Sequence, residues 1–238
     1  MSRVGGSVEV LKGLLKGGEF REAAVARLTR PDNLFQPFTT TGWDRYPEEF
    51  GRARDALASR DPAILSFGCA SGVELLTLRQ YFPTSRIRGI DANPLAVRAA
   101  RKRVRAVGES VAITVARGSD ASAEAASAYD LVLALAVFRH ARLNESPAST
   151  AGVLDFTDFE RTVTGLAATV RPGGILMLRH ANYRFGDCAV AAGFDLIAGG
   201  YPSLGAGGMP TPVYGPDNLL LDLSQRDDGL YVRRRSPA

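Results

Sequence analysis

His140 and His180 are the only two histidines in a chain of 238 residues, and each follows an apolar run, through Arg139 and Arg179 respectively. Imidazole titrates near pH ~6.5, so either ring is suited to take the proton from a hydroxyl as that hydroxyl attacks an electrophile. Either can also be an ordinary histidine bonding its own loop backbone. A second set of residues has the spacing of a cofactor cradle. The stretch Ile64-Leu65-Ser66-Phe67-Gly68-Cys69-Ala70-Ser71-Gly72-Val73-Glu74 runs from an apolar strand through a small-residue turn into a helix. The next strand, Arg86-Ile87-Arg88-Gly89-Ile90, ends in Asp91, whose carboxylate can take a ribose diol. Gly68 permits the turn, Ala70 sets how near a ligand approaches, and Gly72 sets how closely the helix packs on the sheet. The Ala70 methyl would crowd a pyrophosphate, which disfavours a dinucleotide.

These groups require strands that end at one edge of a sheet. Strands are expected over 63–67, 86–90, 111–115, 130–136 and 174–179, with helices beginning near Gly72, Pro94 and Asp158. Apolar strands alternating with amphipathic helices call for a mostly parallel sheet covered on both faces. Thr157-Asp158-Phe159-Glu160 reads as a capping box, and Pro172-Gly173-Gly174 as the end of that helix and a reversal of the chain. Residues 1–60 read as an N-terminal helical extension, with helical patterns over 8–15, 19–29 and 47–58. The aromatic loop around Trp43, over 31–46, is either a docking arm or a lid. Residues 61–238 then form the cofactor-binding domain.

On Gly68, Ala70, Gly72, on Asp91-Ala92-Asn93-Pro94 and on the run from Val170 to Leu178, the chain resembles the class I S-adenosylmethionine-dependent methyltransferases from about residue 62 to about residue 223. The first loop of that family usually carries three alternating glycines, and here the middle one is Ala70. The resemblance implies an α/β fold with a Rossmann-like seven-stranded mostly parallel sheet and one antiparallel strand, the last two strands falling over 193–197 and 218–223. It implies S-adenosylmethionine as cofactor, with Gly68, Ala70 and Gly72 on the methionine side, Asp91 at the ribose, and Ala92 and Asn93 beside the adenine. Ser119 and Asp120 would then meet the adenine amino group, unless Asp120 is a turn or capping acid. Leu135 and Ala136 would pass beneath the transferable methyl. His140 becomes the candidate general base, and His180 a second base or an acceptor-positioning group.

The implied activity is methyl transfer to a hydroxyl of a small polar metabolite. The polar and aromatic side chains over 141–156 and in the C-terminal quarter suit a saccharide better than a lipid. The 68–74 loop with Tyr81-Phe82-Pro83 also resembles the chemotaxis-receptor glutamate methyltransferases, which would mean carboxyl methylation. Amine methylation and a noncatalytic S-adenosylmethionine-binding protein are the other readings. A formal charge of +4 without aromatic interleaving disfavours nucleic acid, and the run 98–105 reads as the solvated face of a helix. The longest apolar run is strand-sized, so no membrane partner is expected. Two cysteines without CxxC spacing or a signal segment suggest a reducing, cytoplasmic setting. Asp120, Asp155, Asp158 and Asp217 leave a hard-cation site such as Mg²⁺ open. Oligomeric state has no signature in this sequence. The glycine-rich segment 199–208 reads as a loop able to close over the acceptor.

Overall fold

A computed structural model describes residues 41–201 and 210–235, with Leu15, Arg21, Ala24, Val25, Phe35 and Gln36. Seven strands form one sheet: β1 (Ile64–Phe67), β2 (Ile87–Asp91), β3 (Ile113–Arg117), β4 (Tyr129–Leu135), β5 (Val170–Arg179), β6 (Phe194–Gly199) and β7 (Gly229–Arg233). Their order is β3-β2-β1-β4-β5-β7-β6. β1 to β5 run parallel, and β7 lies antiparallel to both neighbours. Strand order reverses at β1 and β4, where the carboxyl ends of an open sheet leave a crevice for a ligand.

Among the described residues, four helices cover the sheet: α1 (Pro47–Ala56), α2 (Val73–Tyr81), α3 (Pro94–Ala106) and α4 (Phe156–Thr169). β1 is buried along its whole length because alternate side chains enter two cores. Leu65 and Phe67 join Phe159, Val163 and Leu166 of α4, while Ile64 joins Leu75 and Leu78 of α2, Val97 of α3 and Phe50 of α1. Pro94 opens α3 after Asn93, whose side chain accepts the Leu95 N–H at 3.0 Å. Ala96, Val97, Ala100 and Val104 turn inward, and Arg98, Arg101, Lys102 and Arg105 turn to solvent, so the basic run is a solvated helix face.

Three expected details fall differently. Residues 218–223 are not a ladder strand: the chain doubles back at Pro216-Asp217, with Gly215 N–H donating to Leu219 O and Leu221 N–H to Val213 O, both at 2.9 Å. Leu219 and Leu220 stay largely exposed, and the last strand is instead β7, whose Leu230 and Tyr231 are buried. α4 begins two residues early, because Asp155 and not Thr157 supplies the cap, accepting the Thr157 N–H at 2.8 Å. Glu160, expected in the capping box, accepts the Ala189 N–H at 2.9 Å. Pro172-Gly173-Gly174 does not reverse the chain; Val170 already begins β5, and the three residues lie within it at a register shift against β4. The helical patterns over 8–15 and 19–29 fall mostly outside the described residues, as does 202–209 of the glycine-rich segment. Among the described residues, no helix is long and apolar enough to cross a membrane.

Candidate active site

The 68–72 loop closes on β2. Gly68 and Cys69 N–H both donate to Ile90 O, at 2.8 and 3.1 Å. Gly68 has φ +77°, and a Cβ there would stand 2.3 Å from Val137 Cγ2, so only glycine fits. Gly72 has φ +81° and lets α2 approach α3 until a Cβ would lie 2.9 Å from Ala100 Cα. Ala70 between them also has positive φ, +46°. Its N–H donates to Asp91 Oδ2 at 2.8 Å, and Asn93 N–H donates to Asp91 Oδ1 at 2.8 Å. Asp91, buried at the end of β2, thus ties the loop to the start of α3.

A cavity opens over this loop, lined by Gly68, Ala70, Glu74 and Leu135, with Arg45 and Tyr46 from the segment before α1. Glu74 is a residue that the motif reading leaves without a role, although it stands two residues after Gly72. Burial pushes its carboxyl up to about 7, against the downward pull of the Ser66 hydroxyl and Arg45. Ser66 Oγ donates to Glu74 Oε1 at 2.7 Å. The aromatic loop contributes on two counts: Phe35 packs edge-on to Phe138 with centroids 5.0 Å apart, and Thr41, Gly42, Arg45 and Tyr46 line the cavity. Trp43 itself is exposed.

The rim beyond β4 and β5 holds both histidines. Ala136 and His180 have φ +59° and +54°, a left-handed backbone uncommon for side-chain-bearing residues, and Ala136 N–H donates to Arg179 O at 2.9 Å. His180 is buried, with its ring 5.7 Å from that of Tyr46. Burial, then the cations Arg179, Arg139, Arg45 and Arg226, hold its pKa down at about 3, so the imidazole is neutral at neutral pH. His140 bonds differently. Its N–H donates to Asn182 Oδ1 at 2.9 Å, and its Nδ1 accepts the Arg142 N–H at 3.2 Å, capping a short 3₁₀ turn. That bond engages the Nδ1 lone pair and leaves the ring proton on Nε2.

Behind His180, Arg179 is buried between Glu49 of α1 at 2.8 Å and Asp228 at 3.3 Å, and Arg226 meets the other Asp228 oxygen at 2.8 Å. Of the expected residues, the structure brings Gly68, Ala70 and Leu135 to the lining of one cavity; Asp91 is joined to it through the Ala70 N–H and His180 through the Tyr46 ring, while Gly72 and Ala136 are not among the lining residues. Ala92 is half-buried beside Asp91, and Asn93 is spent as the α3 cap. Ser119 and Asp120 follow β3; Asp120 Oδ1 accepts the Ser122 N–H at 2.9 Å, and the Ser122 hydroxyl, then that N–H, lower its pKa. Asp120 lines a different cavity, against Arg161, Thr162 and Gly165 of α4. The acids named for a cation do not converge. Asp155 caps α4, Asp158 pairs with Arg161 at 2.7 Å, and Asp217 accepts the Leu219 N–H at 3.1 Å. No group of three His, Cys, Asp or Glu able to hold a metal occurs among the described residues.

Residues 65–176 match the family model described as a methyltransferase domain. A 4-amino-L-phenylalanine/4-methylamino-L-phenylalanine methyltransferase of Streptomyces pristinaespiralis is 29% identical over 160 residues, covering 58% of this chain and 53% of that protein. Among solved structures, an S-adenosylmethionine-bound amino pentose methyltransferase of Micromonospora echinaspora is 21% identical, with a TM-score of 0.43 over 59% of this chain and 51% of its own. A methyltransferase of Thiobacillus denitrificans in complex with S-adenosylhomocysteine is 23% identical, with a TM-score of 0.39 over 56% of this chain and 47% of its own. The chain spans about half the length of these relatives. Residues 65–176 thus match a methyltransferase domain, and the seven-stranded sheet, in which β7 is the antiparallel member among the described residues, is the arrangement that the resemblance to the class I S-adenosylmethionine-dependent methyltransferases implies.

Proposed function

We propose that the chain binds S-adenosylmethionine over the 68–72 loop and methylates a small polar acceptor held at the adjoining β4–β5 rim. The observation that carries this reading is the loop itself. Its glycines leave no room for side chains, its backbone is tied to Asp91, and its open side faces a cavity. The residues suit the cofactor. A carboxylate has about four lone-pair sites, so Asp91 can hold Ala70 and Asn93 and still accept a ribose diol. Glu74 and Arg45 offer opposite charges to the ammonium and carboxylate of the methionine part, and Leu135 gives an apolar floor. The cofactor, when bound, supplies an electrophilic sulfonium methyl. The chain's task is to orient the acceptor atom and keep it in its nucleophilic form.

The surroundings of His180 favour an amine nitrogen as that atom. Burial and neighbouring cations both shift an amine toward its neutral, nucleophilic form; on a hydroxyl they oppose each other, because burial raises a pKa that cations lower. The same two causes depress His180 itself. A ring with a pKa of about 3 is a weak proton acceptor, and His140 has its Nδ1 lone pair engaged. The relative from Streptomyces, named for 4-amino- and 4-methylamino-L-phenylalanine, supports the same reading. Hydroxyl methylation, with a saccharide as acceptor, is the second reading. It rests on the two imidazoles at the rim and requires His140 to turn its Nδ1 away from Arg142. Methyl transfer from labelled S-adenosylmethionine to a panel of amines, amino sugars and neutral sugars, with the new methyl located by mass fragmentation, tests both. Methylated nitrogen is expected; methylation confined to sugar hydroxyls would overturn the amine reading.

A further inference from the structure

Five buried side-chain polar atoms among the described residues lack a hydrogen-bond partner: Tyr46 Oη, Ser85 Oγ, Arg139 Nε, Tyr201 Oη and Thr211 Oγ1. Native proteins leave few such atoms, so a group of them calls for an explanation. All but Ser85 belong to residues joined around the rim. Tyr46 packs on His180, the Arg179 guanidinium lies 5.0 Å from the Tyr201 ring, and Arg226 donates to the Thr211 carbonyl. Arg139 feels the fields of Tyr46, Arg45 and Arg226.

Arg139 is the sharpest of the four. Only 8% of its surface is exposed, and of a guanidinium's five N–H donors the structure assigns one bond, from Nη2 to the neutral Asn144 Oδ1 at 3.0 Å. It forms no ion pair with any described residue. The charges behind it pair with one another, Glu49 and Asp228 with Arg179 and Arg226, so Arg139 remains a buried cation without a counter-charge among the described residues. Burying an unpaired charge is costly unless a partner arrives. Tyr46 also lines the cavity over the 68–72 loop, so this cluster borders the space assigned to cofactor and acceptor.

We infer that Arg139, together with the equally unpartnered Tyr46 hydroxyl, is an anion-recognition site that anchors a carboxylate of the methyl acceptor. A carboxylate supplies the counter-charge that Arg139 lacks among the described residues. The planar guanidinium suits a carboxylate through parallel N–H bonds. The inference rests on the methyltransferase reading for what the anion belongs to, and on the rim geometry for the anion itself.

Acetate and its neutral isostere acetamide are the probes, titrated at constant ionic strength while the ring resonances of His180 and His140 are followed by NMR. Acetate should shift His180 saturably and leave His140 nearly unmoved; acetamide should do neither. Arg139→Gln should weaken acetate at least tenfold, and Arg139→Lys, which keeps the charge but loses the planar fork, less. Thermal unfolding checks that both variants are folded. Equal responses to acetate and acetamide, no saturable response, or undiminished acetate binding by Arg139→Gln would overturn the inference. S-adenosylhomocysteine binding is measured by calorimetry on the same three proteins. Its absence in the wild type would sink the cofactor reading and leave the acetate result standing.

Discussion

At the scale of single residues, the pocket is organised by what burial does to charge. The unfolded His180 ring takes a proton near pH 6.5 and the folded one only near pH 3, so between those values the unfolded state holds more protons. The stability linked to His180 is complete above pH 6.5 and is lost as pH falls toward 3, by at most about 1.4 kcal/mol per pH unit. His180→Asn keeps a side chain tolerant of the left-handed backbone. Its melting temperature should therefore fall less than that of the wild type between pH 6.5 and 4, and parallel scans that coincide in slope would show that the ring is not held neutral. Asp91 is the second case. Asp91→Ala strips two buried N–H groups of their acceptor, at about 1–3 kcal/mol each, and removes the group assigned to the ribose. The variant should melt lower and bind S-adenosylhomocysteine at least tenfold more weakly by calorimetry. Unaltered affinity would mean that the carboxylate serves the loop alone.

At the scale of elements, the site depends on how closely two helices approach the sheet. α2 and α3 meet where Gly72 faces Ala100, with no space for a methyl and a positive φ that disfavours one. Gly72→Ala should lower stability by about 1–3 kcal/mol through overpacking and backbone strain. The variant should also weaken the cofactor, because α2 carries Glu74 and the turn before it carries Ala70. A denaturant midpoint equal to that of the wild type would contradict the close approach. The acids that cap α4 and the nearby turns belong to the same scale: an Asp whose oxygens are committed to N–H groups is a local fastener, however metal-like its type.

At the scale of the whole molecule, one buried chain of charges connects parts distant in sequence. Glu49 on α1, Arg179 at the end of β5, and Asp228 and Arg226 before β7 meet behind the rim. Asp228 also accepts the His180 N–H, which holds the strained backbone there. Removing one member leaves a buried charge without its counterpart, at about 3–5 kcal/mol. Glu49→Ala should accordingly cause a large drop in melting temperature, and Glu49→Gln, which keeps an acceptor for the Arg179 N–H, a smaller one. Two variants indistinguishable from the wild type would show that α1 is held by the apolar contacts of its own Phe50 and Ala53 alone.

The local pattern of residues was sufficient for much of this protein. The 64–74 run, Asp91 and Pro94 specify a strand, a turn, a second strand and a helix, because glycine conformation, apolar burial and proline geometry act within a few residues. The parallel strand and helix alternation and the cavity-facing positions of Gly68, Ala70 and Leu135 follow from them. What lies across the sheet was settled only by the tertiary structure. Residues 218–223 and 229–233 are both short apolar runs, and pairing with β5 and β6 selected the second. His140 and His180 look equivalent in sequence, yet one caps a turn and the other is buried among four arginines drawn from separate segments. Glu74, Arg139 and Tyr46 carry no motif of their own. The roles proposed for them rest on burial and on the charges that folding brings near, which are long-range properties that no local spacing encodes.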